Sequence, residues 1–96
     1  MDIIEQNHLT YLNEAEPVTY NGWTNWSTWM AYTLLYDEYN NEAYKKARHN
    51  GFHAFVTWAL LYVHKYNFDK ISANEKEDII RLDKTNWEEI YEAFVE

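Results

Sequence analysis

The chain has 96 residues and 11.7 kDa, with 47% apolar and 25% charged side chains, two Gly, one Pro and no Cys. That is the size of one domain, without a disulfide framework, thiolate zinc site or catalytic thiol, and a 19% share of aromatics is foreign to a disordered chain. Eight bases against sixteen acids give a net charge of -8, which disfavours direct nucleic-acid binding and suits basic partners.

Ile4, His8, Tyr11, Leu12 and Ala15 recur at helical spacing and Pro17 closes the segment, so a short first helix is expected. Asn21-Gly22 tolerates positive φ and predicts a turn before Trp23. Thr24 is the expected N-cap of an amphipathic helix over residues 25–38, in which Trp26, Trp29, Met30, Thr33, Leu34 and Asp37 fall on i, i+3, i+4 steps. Asn40 or Asn41 then starts a short third helix that reaches Ala47 or Arg48 and ends at Asn50-Gly51. Residues 52–66 are the most apolar run and nearly apolar all round, which predicts a central helix packed on more than one side. Ser72-Ala73-Asn74-Glu75 and Thr85-Asn86-Trp87-Glu88 both have capping-box spacing, and a helix is expected to start at each. Ile79, Ile80 and Leu82 form the inner face of the first, and Trp87, Ile90, Tyr91 and Phe94 that of the second. The expected fold is all-α: a single compact domain of four or five short helices over residues 1–96, with the aromatic stripe of residues 26–36 packed on the helix at 52–66.

Charge is distributed unevenly along the chain. Residues 1–44 hold seven acids and no Lys or Arg, residues 45–66 hold four bases and no acid, and residues 67–96 hold nine acids against four bases. Asp37, Glu38 and Glu42 lie beside Tyr36 and Tyr39, and carboxylates interleaved with aromatic rings suit a partner-binding face. In the basic stretch, Lys45, Lys46, Arg48, His49 and Lys65 alternate with Tyr44, Phe52 and Tyr66. That pattern reads first as a solvated counter-face and second as a patch for phosphate or single strands.

The tract Gly22-Trp23-Thr24-Asn25-Trp26-Ser27-Thr28-Trp29 reads locally as a turn, a cap and three Trp that seat a helix. It also resembles the GWTNYETW opening of a group of small, acidic proteins of phages, prophages and plasmids, with Trp26 and Ser27 where the group more often has Tyr and Glu. The similarity covers about a quarter of the chain and continues into the acidic-aromatic stretch Asp37 to Glu42. The resemblance implies a mobile-element origin, in a setting where small acidic proteins often inhibit host or defence machinery.

No nucleophile elbow or P-loop is present, and adjacent carboxylates such as Asp37/Glu38 or Glu88/Glu89 point apart on a helix, so no enzymatic activity is expected. His49 and His53 have the spacing of two metal ligands, but Asn50-Gly51 breaks the helix this needs; no metal and no cofactor is expected. The opening residues lack a basic, apolar leader and no window is long enough to cross a membrane, which makes the cytoplasm of a host cell the expected location. The functional expectation is a non-enzymatic inhibitor of anti-CRISPR or anti-restriction type. It binds a host or defence protein with a basic surface through Tyr36, Asp37, Glu38, Tyr39 and Glu42, in the manner of a nucleic-acid mimic. The alternatives are a small nucleic-acid-binding or regulatory protein using residues 45–66, and a homodimer built on exposed aromatics.

Overall fold

In the computed structural model, which describes residues 20–96, Tyr20 and Trp23 exchange backbone hydrogen bonds of 2.8 Å in both directions. Between them Asn21 and Gly22 have φ of 49° and 86°, the pair of positive values that a two-residue hairpin turn of type I′ demands. The turn expected from Asn21-Gly22 is therefore present. The first helix expected around residues 4–15 lies outside the described residues.

Helix α1 spans Trp26–Lys45 and its N-cap is Asn25, whose Oδ1 accepts from the Thr28 backbone N–H at 2.8 Å. Thr24, the expected cap, is turned instead toward the far end of the chain. The helices expected at residues 25–38 and from Asn40 onward are present as two helical segments of α1 that meet at a kink at Tyr39, where φ -134° and ψ 31° leave the helical region. Leu35 before the kink and Ala43 after it are both fully buried in the same core. The break expected before Asn40 is thus realised as a kink, and burial in one core holds the two segments end to end.

A π-helical turn, Lys46–Asn50, follows directly, and Gly51 at φ 91° ends it where the sequence predicts a break. Helix α2, Gly51–Ser72, starts at that glycine. It returns antiparallel to α1, since Tyr39 meets Trp58 and Tyr62 while Met30 and Leu34 border Tyr62 and Tyr66. Phe55, Trp58, Ala59 and Val63 form its buried stripe. Contrary to the expectation of packing on more than one side, the opposite face is open: Leu61 is 65% and Phe68 68% exposed.

Ser72 does not open a helix; it is the last residue of α2, and Asn74 at φ 65° turns the chain away. Residues 73–86 carry only two 3₁₀ turns, Lys76–Asp78 and Leu82–Lys84. The extended stretch around Ile80 is pinned by side chains in place of its own helical bonds. Asn67 Nδ2 donates to Ile80 O at 2.9 Å while Asn67 Oδ1 accepts from Ile80 N at 2.7 Å. That double bond lets Ile80 enter the core with 1% exposure.

Helix α3, Trp87–Val95, begins at the second expected capping box but one residue later, because Asn86 Oδ1 takes the Glu89 N–H at 3.1 Å while Thr85 Oγ1 donates to Arg81 O at 2.8 Å. Ile90 and Phe94 are fully buried, as their spacing predicts. Phe94 is the hub of the core, with the rings of Tyr32, Tyr44 and Phe55 at 5.1, 5.1 and 5.8 Å. The described residues are thus all-α, with three α-helices in place of the four or five expected.

Candidate binding face

The polar residues of the tract Gly22–Trp29 are committed to the fold. Thr24 donates from N and Oγ1 to Glu89 Oε1 at 3.1 and 2.8 Å, and Asn25 Nδ2 donates to Lys84 O at 2.7 Å. The Thr28 hydroxyl donates to Asn25 Oδ1 and accepts from Asn86 N–H, while Ser27 Oγ accepts from Arg81 N–H. Ser27 and Thr28 are 1% and 0% exposed, so their bonds are made where water cannot readily substitute, whereas the Thr24–Glu89 pair lies at the surface. The tract Gly22–Trp29 is therefore a clasp between the start of α1 and residues 81–89.

Function has to be sought beyond it, on the outward side of α1. With Ala31, Leu35 and Ala43 turned to the core, Tyr36, Asp37, Glu38 and Glu42 stand exposed. Tyr39 does not share their exposure: its ring lies against Tyr62 at 3.9 Å and edge-on to Trp58 at 6.4 Å. The ion pairs of the described residues join Lys65–Asp69, Lys70–Glu75 and Arg81–Asp83, and none involves Asp37, Glu38 or Glu42. These carboxylates face solvent.

A ladder of rings runs from this acidic stretch to a second one. Tyr36 meets Tyr32 at 5.6 Å, and Tyr32 stacks on Trp23 at 4.5 Å. Trp23 in turn borders a shallow cleft with Glu89, Glu92 and Glu96 of the α3 side. Burial raises the Tyr32 phenol above its ordinary value, and the neighbouring Tyr44, Tyr36 and Asp37 add to the rise. Aromatic surface flanked by carboxylates on both sides is suited to cationic groups that also present a flat or apolar stem.

Arg48, counted in sequence among the bases of the middle segment, is occupied. Its Nε donates to Phe94 O and Val95 O at 3.2 and 3.3 Å, and its guanidinium lies 4.7 Å from the centre of the Tyr44 ring. It neutralises the open carbonyl end of α3. Lys65 and Lys70 face Asp69 and Glu75. Gly51 separates His49 from His53, and among the described residues no group of three or more His, Asp or Glu side chains is placed to hold a metal ion. None of the described helices is long and apolar enough to cross a membrane.

One feature escaped sequence reasoning. Between α1 and α2 lies a groove of about 320 Å³ lined by Met30, Leu34, Tyr39, Tyr62 and Tyr66, with Asp37, Glu38, Lys65 and Asp69 around it. The only local signal was Tyr62, Tyr66 and Asp69 at i, i+4, i+7 on one face of α2. No family model matches the chain, and no curated protein or solved structure matches it.

Proposed function

We propose that this protein is a non-enzymatic inhibitor of phage or mobile-element type that acts in the host cytoplasm by binding a host or defence protein through the acidic, aromatic side of α1. The supporting observation is that Tyr36, Asp37, Glu38 and Glu42 are exposed together and that the three carboxylates form no ion pair with any described residue. In a chain of net charge -8, such a face attracts a basic surface over long range and contributes to association rate and orientation. A surface evolved to bind phosphates offers the complementary charge, so occupation of a nucleic-acid site is the mode of inhibition. Tyr36 supplies the ring contact, while Tyr39 supports the face from beneath. Against the alternative use of residues 45–66 stands the engagement of Arg48 by α3, which removes one of the four bases from any phosphate-binding patch.

Capture of the host target by tagged protein, followed by competition with nucleic acid, tests the reading. Wild-type protein is expected to hold a nucleic-acid-handling protein and to lose it as nucleic acid is added. The triple variant Asp37→Lys, Glu38→Lys, Glu42→Lys is expected to hold nothing while melting at nearly the wild-type temperature, because exposed charges add little to folding. Retained capture by that variant refutes the face; capture that nucleic acid does not disturb refutes the mimicry.

A further inference from the structure

We infer that the groove between α1 and α2 is the seat of an arginine side chain of the protein partner, its guanidinium laid on the rings of Tyr39, Tyr62 and Tyr66 and held by Asp37, Glu38 and Asp69. The inference rests on the reading of α1 as a partner-binding face and adds the chemistry of what that face takes. The volume, about 320 Å³, is at the small end for ligand sites and suits one long side chain. Its rings are half-buried and its carboxylates exposed, so a cation entering from solvent meets charge first and aromatic surface second.

Three observations bear on the choice of cation. At the kink the Tyr39 ring lies on that of Tyr62 with centroids 3.9 Å apart, so the two rings form one packed aromatic unit that borders the groove. Tyr66 already has the Lys70 ammonium 5.5 Å from its centre, direct evidence that this ring is placed to attract positive charge. Asp37 and Glu38 have no cationic partner among the described residues, and the Lys65–Asp69 pair at 3.6 Å is exposed and readily given up. A guanidinium is flat, weakly hydrated and able to donate to two carboxylates while it stacks, whereas an ammonium is compact and strongly hydrated. Rings and divergent carboxylates together therefore favour arginine over lysine.

The test is a titration of the whole ¹⁵N-labelled chain with the capped tripeptide acetyl-Gly-Arg-Gly-amide, and with its lysine counterpart, at constant ionic strength. Saturable shifts are expected at the amides of Asp37, Glu38, Tyr39, Tyr62 and Tyr66, with the arginine peptide bound severalfold more tightly. The variant Asp37→Asn, Asp69→Asn is expected to keep its melting temperature and lose about tenfold in affinity, the scale of one charged hydrogen bond. Shifts that do not saturate, that spread over every acidic patch, that give equal affinities for the two peptides or that titrate with unchanged affinity in the double variant overturn the inference. If arginine fails to bind the groove while charge reversal still abolishes target capture, only this inference falls. If arginine binds but charge reversal leaves capture intact, the acidic face falls as the route to the target while the groove stands as a guanidinium site.

Discussion

The side-chain amide of Asn67 meets both backbone polar groups of Ile80, at 2.9 Å from Nδ2 to the carbonyl oxygen and 2.7 Å from Oδ1 to the N–H. An amide placed this way imitates a strand neighbour, and it satisfies a segment that has neither helix nor sheet of its own. The consequence is that one polar residue of α2 decides whether Ile80 can be buried.

Replacing Asn67 by Ala leaves that N–H and carbonyl without partners in a part-buried setting, and an expected loss of about 2–4 kcal/mol follows. Asn67→Asp keeps the acceptor but sets an anionic oxygen against the Ile80 carbonyl oxygen in place of the donor, so its loss is expected to be at least as large. Urea unfolding followed by far-UV circular dichroism measures both. An Ala variant as stable as the wild type would mean that residues 79–81 are held by other means.

The clasp at the start of α1 makes a second demand. Thr28→Val preserves shape but removes the hydroxyl that bridges Asn25 and Asn86, with an expected loss of about 1–3 kcal/mol. Thr24→Val removes a bond to Glu89 at the exposed surface, where water replaces it, and is expected to cost less. The order of the two unfolding midpoints is the measurement, and a reversed order contradicts the assignment of Thr28 as the buried member.

These residues also show why sequence reading succeeded where it did. Asn21-Gly22, Gly51 and the Ile90/Phe94 spacing were legible because each is decided within one turn of chain: by positive φ in the first two, by helical period in the last. Thr24, Asn25, Ser27 and Thr28 could be read as a helix start, but their partners lie 54 to 65 positions away, beyond any local pattern. Ser72 carried the right spacing for a cap and yet ends α2, because Asn67 and Ser27 offer the following segment bonds that a helix would have to surrender. Of the candidate face, Asp37, Glu38 and Glu42 were legible as charge beside rings. The inward turn of Tyr39 and the approach of Asp69 across the groove depend on the pairing of two helices.

Along α2 the two faces should respond oppositely to substitution. Trp58, 9% exposed and in ring contact with Tyr39, Phe55 and Tyr62, is expected to cost about 3–5 kcal/mol on truncation to Ala. Leu61→Ser, three residues on and 65% exposed, is expected to change stability by no more than about 0.5 kcal/mol. Denaturant midpoints compare them. Equal effects would contradict the one-sided packing of the helix.

Alkaline pH is expected to lower the stability of the protein through Tyr32 and Tyr66. Burial is the first cause that raises both phenols above 10.0; neighbouring Tyr44, Tyr36 and Asp37 add to it at Tyr32, while at Tyr66 the nearby Lys70 opposes it. Above the pKa of the unfolded chain the folded form therefore holds more protons, so stability is intact below about pH 10 and falls as pH rises further. Tyr32→Phe, which keeps the ring, is expected to flatten that fall. Urea midpoints measured across the alkaline range show it, and a fall that is unchanged in the variant would assign the loss to other groups.

The passage from α1 to α2 contains no loop: five π-helical residues lead straight to Gly51, and the next helix has begun. A flexible connection would absorb a residue added or lost, whereas here each residue counts toward the rotational setting of everything after it. One insertion between Lys46 and Gly51 carries the point of reversal about 100° around the axis of α1, so that α2 leaves in another direction. The buried stripe of Phe55, Trp58 and Val63 would no longer meet the core squarely, and the contact of Tyr39 with Tyr62 that borders the groove would be lost. The reversal thus works as a phase lock, and it ties the composition of the exposed groove to the length of five residues at the far end of the helix pair.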